Sequence, residues 1–521
     1  MPIYQQGSLN TTALVVPDLY VQIVAPQNLV LNGVPTNVIG VVGSAPWGPV
    51  NQPVAIGTMA DYAQAFGPVM VRQYDMGTSV ATAVQQGATN FRCVRVTDGT
   101  DAAASTAIGL VGGGNFAVMI SALYTGSGGN GITVTLSAGS VLGQWQAVVA
   151  MPGMVPEVYS NLAAPSNAAF WQNLVNAINQ GNGQLRGPSQ LVVATLGTAT
   201  AAAPAAFGPQ GLGGGSDGAA GVTSAIMVGQ DSLPRTGMYA LRNQGCGIGV
   251  LADMVDSTQW TTVAAFGLSE GVYMILTGPA GQAISDAVTL MQQAGLDSYS
   301  AKLMFGDWVF WNDQANGQTR LVSPQGFVAG RLGNLSPEQS SLNKPLYSVV
   351  GTQRSGVPGS GQTATYSDAE LGVLFQAGID VIANPQPGGA YWGVRCGHNT
   401  SSNLAINGDN YTRLTNYIAA TLAAGMGQFV GQVINTGLFQ QIRSTQLSFL
   451  QALLAQGILG SLDGSPPYSV ICDTSNNPLS RTSLGYVQSD AQVQFQSINE
   501  KFIVNVEGGQ TVVVQKQVLP S

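Results

Sequence analysis

Short apolar runs alternate with amphipathic stretches along most of this chain, and the alternation predicts layers of strands and helices. The run from Val38 to Gly43 is β-branched and free of polar residues, which suits a strand buried on both faces. The pattern then favours a helix over Met59 to Phe66, stopped by Gly67 and Pro68. Four later stretches predict the order strand, helix, strand, helix: Ile248 to Leu251, Trp260 to Leu268, Val272 to Leu276 and Ala280 to Gln293. This order indicates an α/β sheet flanked by helices.

Two longer helices are predicted in the last third of the chain. The first runs from Tyr411 to Ala423 and the second from Leu438 to Gln456. Apolar residues at helical spacing give each helix a buried stripe, which comprises Tyr411, Leu414, Ile418 and Leu422 in the first and Leu447, Leu450, Leu453 and Leu454 in the second. Strands are predicted after them, over Ile471 to Thr474 and Gln492 to Val506.

Composition divides the chain into parts. With 521 residues it exceeds what one hydrophobic core usually spans, so roughly two to four domains are expected. Residues 98–222 are poor in charge and rich in Gly, Ala and Ser, and we interpret them as an inserted β-rich domain with a flexible exit loop from Gly197 to Gly221. The fold class predicted is a multidomain α/β (α+β) protein with mixed sheets flanked by helices: an N-terminal arm (1–26), a middle domain (27–97 and 223–365), the insert (98–222), a C-terminal domain (366–507) and a C-terminal arm (508–521).

Both chain ends carry extended, β-branched segments, Ala13 to Val24 and Gln510 to Leu519. An isolated terminal strand is marginal in water and must pair with another strand. From the residues alone, each segment is expected to fold back onto a sheet of its own subunit. The residues expected in these strands are Leu14, Val15, Val16, Tyr20, Val21, Ile23, Val512, Val513, Val514 and Val518.

A rigid corner follows the first buried strand. Pro46 and Pro49 fix their φ angles and withhold N–H donors, and Trp47 and Gly48 lie between them. We interpret these four residues as a structural corner in which Trp47 anchors a rigid shoulder. The corner would set where the N-terminal arm leaves the body.

Charged residues make up only 8% of the chain, against about 25% in ordinary proteins. Exposed charge keeps free subunits apart, so the deficit favours a surface that ends up against copies of itself, with a neutral surface of another origin as the alternative. The net charge of −8 and the absence of any basic stripe argue against nucleic-acid binding. The sequence has no run of roughly 18 apolar residues and no signal-peptide pattern, so we expect assembly in the cytoplasm without membrane insertion.

Few residues suggest catalytic chemistry. His398 is the only histidine and lies in a Ser/Asn-rich stretch that is typical of a loop. No lysine is followed by Ser or Thr, which excludes a Gly-Lys-Ser/Thr phosphate loop. Asp253 and Asp256 could in principle bind a cation or form an acid/base pair, and surface or capping roles are the expectation.

A glycine motif and four cysteines complete the candidates for chemistry. Gly213, Gly215 and Gly218 satisfy G-x-G-x-x-G, but no strand is expected before them, so we interpret them as a flexible turn. The cysteines are far apart and are expected to be buried free thiols: Cys93, Cys246, Cys396 and Cys472. We therefore predict no catalytic, cofactor-binding or metal-binding residue, and no enzymatic activity.

Several motifs, taken in order, resemble contractile tail sheath proteins, the subunits that wrap the tail tube of contractile phages, pyocins and related injection machines. The segment from Gly33 to Gly67 resembles the start of these proteins, and Phe91 to Val96 resembles their aromatic-led strand that closes on Val-Arg-Val. Three further stretches are similar to the family's Glu-x-Tyr-Ser-Asn-Leu run, Gly-Gly-x-Asp-Gly turn and Trp-Gly-x-Arg strand: Glu157 to Leu162, Gly214 to Gly218 and Trp392 to Arg395.

The chain departs from the family at two places. Gly128 or Gly129 stands where a tryptophan usually precedes the Gly-Asn turn, which puts the packing there in doubt, and Cys396 stands where threonine is usual. Resemblance is strongest towards the two ends of the chain and weakest between residues 98 and 222.

The resemblance implies a structural subunit of a contractile tail sheath, which polymerises helically around the tail tube and contracts to drive it through the host envelope. It implies a homo-oligomer of stacked rings or a helix, with the tail tube protein, baseplate proteins and tail terminator proteins as partners. No cofactor would be needed. The insert would lie on the outside, the C-terminal domain on the inside, and the terminal arms would join neighbouring subunits. The assembled protein would belong to the virion, as part of a phage tail.

Two other classes stay open. Another phage structural protein, a capsid or tube subunit, is the closer alternative, although a tube usually needs one compact β-domain. A secreted β-rich hydrolase or adhesin would share the Gly/Ser/Asn bias, but it would normally carry a signal peptide and a cluster of carboxylates or histidines.

Overall fold

The computed structural model describes residues 3–6, 20–23, 31–183 and 186–506. Up to residue 97 the elements are β1 (Ile3–Gln6), β2 (Tyr20–Ile23), β3 (Ile39–Gly43), β4 (Pro53–Ile56), α1 (Met59–Phe66), α2 (Met76–Gln85) and β5 (Phe91–Arg95). From 98 to 222 they are β6 (Ser105–Ile108), β7 (Val118–Ala122), β8 (Thr133–Ala138), β9 (Gln144–Ala150), β10 (Glu157–Ala163), α3 (Asn167–Gln180), β11 (Val192–Leu196) and β12 (Phe207–Gly211). From 223 to 365 they are α4 (Ser224–Val228), β13 (Ile248–Leu251), α5 (Trp260–Glu270), β14 (Tyr273–Thr277), α6 (Ile284–Ala294), β15 (Ala301–Met304), β16 (Val309–Asp313), β17 (Gln318–Val322), α7 (Gln325–Asn334) and β18 (Val349–Thr352). The remaining elements are α8 (Asp368–Gln376), β19 (Ile379–Asp380), β20 (Ile382–Ala383), β21 (Gly393–Val394), α9 (Asp409–Met426), α10 (Thr436–Ala455), β22 (Tyr468–Ile471), α11 (Leu479–Thr482) and β23 (Asp490–Val493).

A seven-stranded sheet forms the centre of the body, in the order β19-β15-β14-β13-β3-β5-β4. Neighbouring strands are parallel, except that the edge strand β4 runs antiparallel to β5. Strands β3, β13 and β14 are buried along their whole length, as expected for parallel strands with both faces covered. Because β3 to β5 precede residue 98 and β13 follows residue 222, the intervening segment is inserted between strands of one sheet.

Helices cover both faces of this sheet. One face packs against α5, α6 and α8, with Trp260 and Leu374 in the buried cluster. The other face packs against α1, α2 and α7, with Tyr62 and Phe327 in a second cluster. The fold class predicted from the alternation of strands and helices, mixed sheets flanked by helices, is therefore confirmed.

The insert, residues 98–222, has its own hydrophobic core. It contains two antiparallel sheets, β10-β9-β8-β12 and β11-β7-β6, against which α3 buries Phe170 and Trp171. The sequence predicted a flexible loop from Gly197 to Gly221, but β12 lies within it and pairs with β8. The low-complexity composition concealed this strand, which completes the four-stranded sheet.

Helices α9 and α10 pack together beside the two-stranded sheet of β22 and β23. Their shared cluster includes Ile418 from α9, Leu450 and Leu453 from α10, and Val470 from β22. The predicted bounds of both helices are correct to within a few residues. Leu454, which the prediction placed inward, is 37% exposed. The buried face of α10 contains Leu450 and Leu453, and Leu454 lies at its side.

The last two predicted strands differ from the structure: the first lies three residues earlier than expected, at Tyr468–Ile471, and the second is shorter, at Asp490–Val493. Strand β23 ends at Val493, and residues 494–506 form no strand with any part of the chain that the structure describes. Strand β22 ends at Ile471, because Asp473 accepts hydrogen bonds from Ser475 and begins a turn. The C-terminal stretch thus leaves the sheet much earlier than its apolar pattern predicts.

Candidate assembly site

The corner after β3 packs against the insert. Trp47 is 1% exposed and belongs to the buried cluster of the insert, where its ring meets Tyr124 edge-on with centroids 5.3 Å apart. The carbonyl of Pro46 accepts a hydrogen bond from the N–H of Gly128 at 2.9 Å. Gly48 turns the chain with a φ of 97°, a conformation that favours glycine. The corner therefore holds the insert, whereas the sequence suggested a shoulder for the N-terminal arm.

The glycines of the turn between β7 and β8 leave room for this corner. A Cβ atom at Gly129 would lie 3.3 Å from the ring of Trp47, and one at Gly126 would lie 2.1 Å from the carbonyl oxygen of Pro46. The ring of Trp47 thus lies beside the glycines at which the sequence departs from the sheath pattern. Side chains here would push the insert away from the body.

Arg95, the last residue of β5, is fully buried where the body meets the insert. Its Nη1 donates to the carbonyl oxygens of Gly48 and Thr125, both at 2.7 Å, and its Nη2 donates to the carbonyl of Asp217 at 3.2 Å. Burial lowers the pKa of the guanidinium, an effect that Asp101 and Asp217 partly offset. The three acceptors come from the corner, the first half of the insert and its last turn, so one side chain joins three segments.

An ion pair reinforces this junction. The guanidinium of Arg72 contacts the carboxylate of Asp217, whose other oxygen accepts a hydrogen bond from the N–H of Ser127. Arg72 is also 3.7 Å from Asp75, the capping residue of α2. The start and the end of the insert are therefore held to the same part of the body.

The first described residues of the body, from Leu31 onward, pack against helix α9. Leu31 is 7% exposed and lies in the cluster that contains Ile418. The N–H of Val34 donates to Oγ1 of Thr421 at 3.2 Å. The first described residues of the body, 31–34, therefore contact α9.

The C-terminal segment crosses the beginning of the same helix. The ring of Phe495 packs edge-on against Tyr411 with centroids 5.8 Å apart, and the carbonyl of Gln496 accepts a hydrogen bond from Asn410 at 3.1 Å. Four apolar residues then follow with between 64% and 87% of their surface exposed: Phe502, Ile503, Val504 and Val506. Residues 31–34 and residues 495–496 thus contact the same helix.

Three of the predicted arm residues, Tyr20, Val21 and Ile23, lie in β2. This strand pairs in parallel with β1, with Tyr20 opposite Ile3. A two-stranded sheet is marginal in water on its own, so the pair is a candidate for further strands. The other predicted arm residues lie outside the described residues: Leu14, Val15, Val16, Val512, Val513, Val514 and Val518.

The sheet of β22 and β23 is the second incomplete sheet. The strands are antiparallel, with Tyr468 opposite Val493, and no third strand joins them within the described ranges. Four large apolar side chains, in β22 or in the segment that joins it to β23, have between 42% and 82% of their surface exposed: Ile471, Leu479, Leu484 and Tyr486. An unpaired edge beside apolar surface is where a further strand can add.

A buried ion cluster fixes α9 to the central sheet. Lys302 of β15 is fully buried, with its Nζ 2.7 Å from Oδ2 of Asp380 and 3.1 Å from Oδ1 of Asp409, the first residue of α9. Burial alone would raise the pKa of Asp409, but Lys302 and the hydrogen bonds from Ser341 and Tyr273 lower it to about 2. The helix that residues 31–34 and 495–496 contact is therefore fixed to the central sheet.

His398, Asp256 and Asp253, the residues weighed for catalysis, form hydrogen bonds to other residues of the fold. Nε2 of His398 lies 2.7 Å from Oε1 of Glu500. Asp256 caps a short 3₁₀ turn, as expected. Asp253 is buried, contrary to the surface role expected, and accepts a hydrogen bond from the N–H of Tyr74 at 3.2 Å. Each of these groups thus contacts a neighbour within the fold.

The glycine motif does not form a dinucleotide site. The expectation that no strand precedes it is wrong, because β12 ends at Gly211. However, β12 is antiparallel to β8, and the glycine turn pairs its main chain with the start of the insert, Gly213 with Ser105 and Ser216 with Ala102. The segment predicted to be a flexible turn is therefore held by main-chain pairing. The thiols are all free, three of them buried and the last half-buried: Cys93, Cys246, Cys472 and Cys396.

Two negative findings, on metal-holding clusters and on membrane-spanning helices, apply to the described ranges. Among those residues, no group of three or more His, Cys, Asp or Glu side chains is placed to hold a metal ion. None of the helices that the structure describes has the length and apolar character needed to cross a membrane.

The chain as a whole is similar to solved sheath structures. It matches the sheath tail protein of Desulfitobacterium hafniense at 16% identity and a TM-score of 0.57, over 87% of this chain and 93% of that one. It matches a sheath tail protein of Listeria innocua at 13% identity and a TM-score of 0.59, over 85% and 90%. It matches the PVC sheath complex of an extracellular contractile injection system, in the contracted state, at 12% identity and a TM-score of 0.54, over 96% and 99%. No protein-family model and no curated protein sequence matches the chain.

These matches establish the fold. A coverage of 96% necessarily includes most of the insert as well as the body. The chain therefore has the fold of contractile sheath proteins, in agreement with the resemblance found in its motifs.

Proposed function

We propose that this chain is the structural, non-enzymatic subunit of a contractile sheath, which polymerises helically around a tail tube and shortens to drive the tube through a host envelope. The observation that carries the proposal is the likeness of nearly the whole chain to a sheath subunit from a contracted assembly. The low content of charged residues, 8%, agrees with a surface covered by other copies.

The terminal arms are the proposed connectors between subunits. Residues 31–34 and 495–496 both contact α9, and Phe495 packs with the two-stranded sheet of β22 and β23 in one cluster. The exposed run from Phe502 to Val506 follows a few residues further along the chain. Arms from neighbouring copies would add strands to the open edges, with main-chain hydrogen bonds providing strength and alternate side chains providing register. Such head-to-tail contacts do not close on themselves and generate a helix or stacked rings.

The partners follow from this role. The proposed subunit surrounds a tail tube protein and ends at baseplate and tail terminator proteins, and the assembly forms part of a phage tail, put together in the host cytoplasm. Its proposed domains are the two arms, a middle domain, an outer insert at 98–222 and an inner C-terminal domain at 366–507. The free energy of contraction would be stored in subunit interfaces, so no cofactor is required.

Removal of the C-terminal arm tests the proposal. We expect a chain lacking residues 508–521 to remain folded and monomeric by circular dichroism and gel filtration. Under conditions in which the full chain forms striated hollow tubes in negative-stain electron microscopy, the shortened chain should form none. A finer variant replaces Val512 and Val514 by proline, which removes two N–H donors without a change in length.

Lys516→Gln is the matched control, because it changes the charge of the same segment and keeps every N–H donor. This control should form tubes like the full chain. Long tubes from the shortened chain would refute the role of the arm. Shells from the full chain would indicate a capsid protein, and discrete particles that never assemble would refute the sheath function itself.

A further inference from the structure

The root of the C-terminal arm is held by the only histidine of the chain. Nε2 of His398 faces Oε1 of Glu500 at 2.7 Å across 102 residues of sequence. Nδ1 of the ring lies 3.3 Å from the side-chain amide of Asn407. With that amide donating to Nδ1, the neutral ring carries its proton on Nε2 and donates it to the carboxylate. The ring is therefore oriented towards the arm from both sides.

This contact is the last attachment of the described C-terminal segment, residues 494–506, which leads to the arm at 508–521. The preceding attachments of the segment are a main-chain hydrogen bond from Gln494 to Pro467 and the one that Gln496 accepts from Asn410. Beyond Glu500, no residue up to Val506 forms a hydrogen bond or ion pair with another described residue. Release at Glu500 would thus free the exposed apolar run that follows.

The other charged groups near the ring come from several elements. The carbonyl of His398 accepts a hydrogen bond from Lys302 at 2.9 Å, so the main chain under the ring is fixed. Two clefts flank the ring, and the titratable groups that line them are Asp297, Glu338, Lys344, Asp380, Arg395, Cys396 and Lys501. Carboxylates, amines and guanidinium groups ordinarily titrate outside the range from about pH 5.5 to 8, in which imidazole changes charge. Burial raises the pKa of the Cys396 thiol, which keeps it neutral there.

We propose that His398 and Glu500 form a pH-sensitive clip that retains the root of the C-terminal arm on the body. The neutral imidazole makes a hydrogen bond to the carboxylate. Protonation of Nδ1 adds an ion pair, and the side-chain amide of Asn407 then turns so that its oxygen accepts from Nδ1–H. The hydrogen bond from His398 lowers the pKa of the Glu500 carboxyl, so the carboxylate is charged throughout this range. The clip is therefore tighter at mildly acidic pH, where the arm is less free to leave the body.

Tryptic cleavage after Lys501 measures release of the clip, because the Lys501–Phe502 bond lies one residue beyond Glu500. Cleavage after Lys516, further along the same arm, serves as the reference for protease activity at each pH. In the full chain at a concentration too low for assembly, we expect the ratio of cleavage at Lys501 to that at Lys516 to fall about two- to fivefold from pH 8 to pH 6. In His398→Gln, which retains a hydrogen-bonding side chain that does not titrate, the ratio should be independent of pH.

Lys344→Gln is the matched control: it removes a charge from the same cleft, leaves the clip intact and should keep the pH dependence. Glu500→Gln, normalised to the same change in an isolated peptide of residues 496–506, removes the other partner and should abolish it. Near-ultraviolet circular dichroism checks that each variant is folded. A pH-independent ratio in the unmodified chain, or an unchanged pH dependence in His398→Gln, would overturn the proposal. The measurement uses unassembled protein and does not depend on the sheath function.

Discussion

Loss of Arg95 should separate the insert from the body. In Arg95→Met the side chain keeps its approximate length but loses the donors that join Gly48, Thr125 and Asp217. A hydrogen bond from a charged group contributes about 1.5–3 kcal/mol, and two of these bonds are short, at 2.7 Å. Removing a buried guanidinium also relieves its desolvation cost, which offsets part of the loss. We therefore expect a net loss of about 2–4 kcal/mol, roughly a hundredfold increase in opening of the junction.

Hydrogen exchange measured by mass spectrometry locates this effect. Peptides covering residues 97–101 and 213–222, where the chain enters and leaves the insert, should exchange faster in Arg95→Met, while β8 and β9 inside the insert should be unchanged. Arg92→Met is the matched control, since Arg92 lies on the same strand and donates only to neighbouring Asn90 and Phe91. Equal exchange in the two variants would refute the idea that Arg95 holds the insert. So would loss of the insert's own protection, which would indicate unfolding of the insert and not its release.

The remaining predictions concern the ion cluster and the glycine turn. Lys302→Met leaves Asp380 and Asp409 buried without a cation, and chemical denaturation should show a loss of about 3–5 kcal/mol in the free energy of unfolding. Because the pKa of Asp409 is lowered to about 2, its contribution is present above about pH 4 and is lost as the pH falls towards 2. Asp409→Asn should therefore flatten the acid limb of stability measured by circular dichroism, and an unchanged limb would contradict this assignment. Gly126→Ala should lower the melting temperature more than Gly99→Ala, because both glycines have positive φ but only the first would bring a Cβ against the carbonyl of the corner.

The buried strands and amphipathic helices could be predicted because their patterns are local. The helix Met59–Phe66 has the predicted bounds, since Thr58 caps its beginning and Gly67 ends it within the same short stretch. The strand β3 is recognisable because both its faces are covered, so its residues are uniformly apolar. Errors occurred where a strand needs a distant partner. Strand β12 was missed in a glycine-rich stretch, and β23 was predicted to extend past Val493, where the described chain offers no partner.

The candidate site was only partly accessible from the sequence. The arms could be proposed because an apolar terminal segment without a neighbouring strand must find a partner elsewhere. The corner was recognised as rigid, but its role was not, because the Pro-Trp-Gly-Pro pattern does not indicate which segment Trp47 packs against. His398 gave no signal of its contact with Glu500, which lies far along the chain in a stretch predicted to be a strand.

The α/β layers and the low charge could be derived from the sequence, because periodicity and composition are properties of neighbouring residues. Packing of the whole chain was needed to show that Trp47 and Arg95 hold the insert, that residues 31–34 and 495–496 contact α9, and how α9 is fixed. Lys302 illustrates the physical reason: its carboxylate partners lie 78 and 107 residues further along the chain. A buried lysine is stable only where such groups converge, and packing of the whole chain is what brings them together.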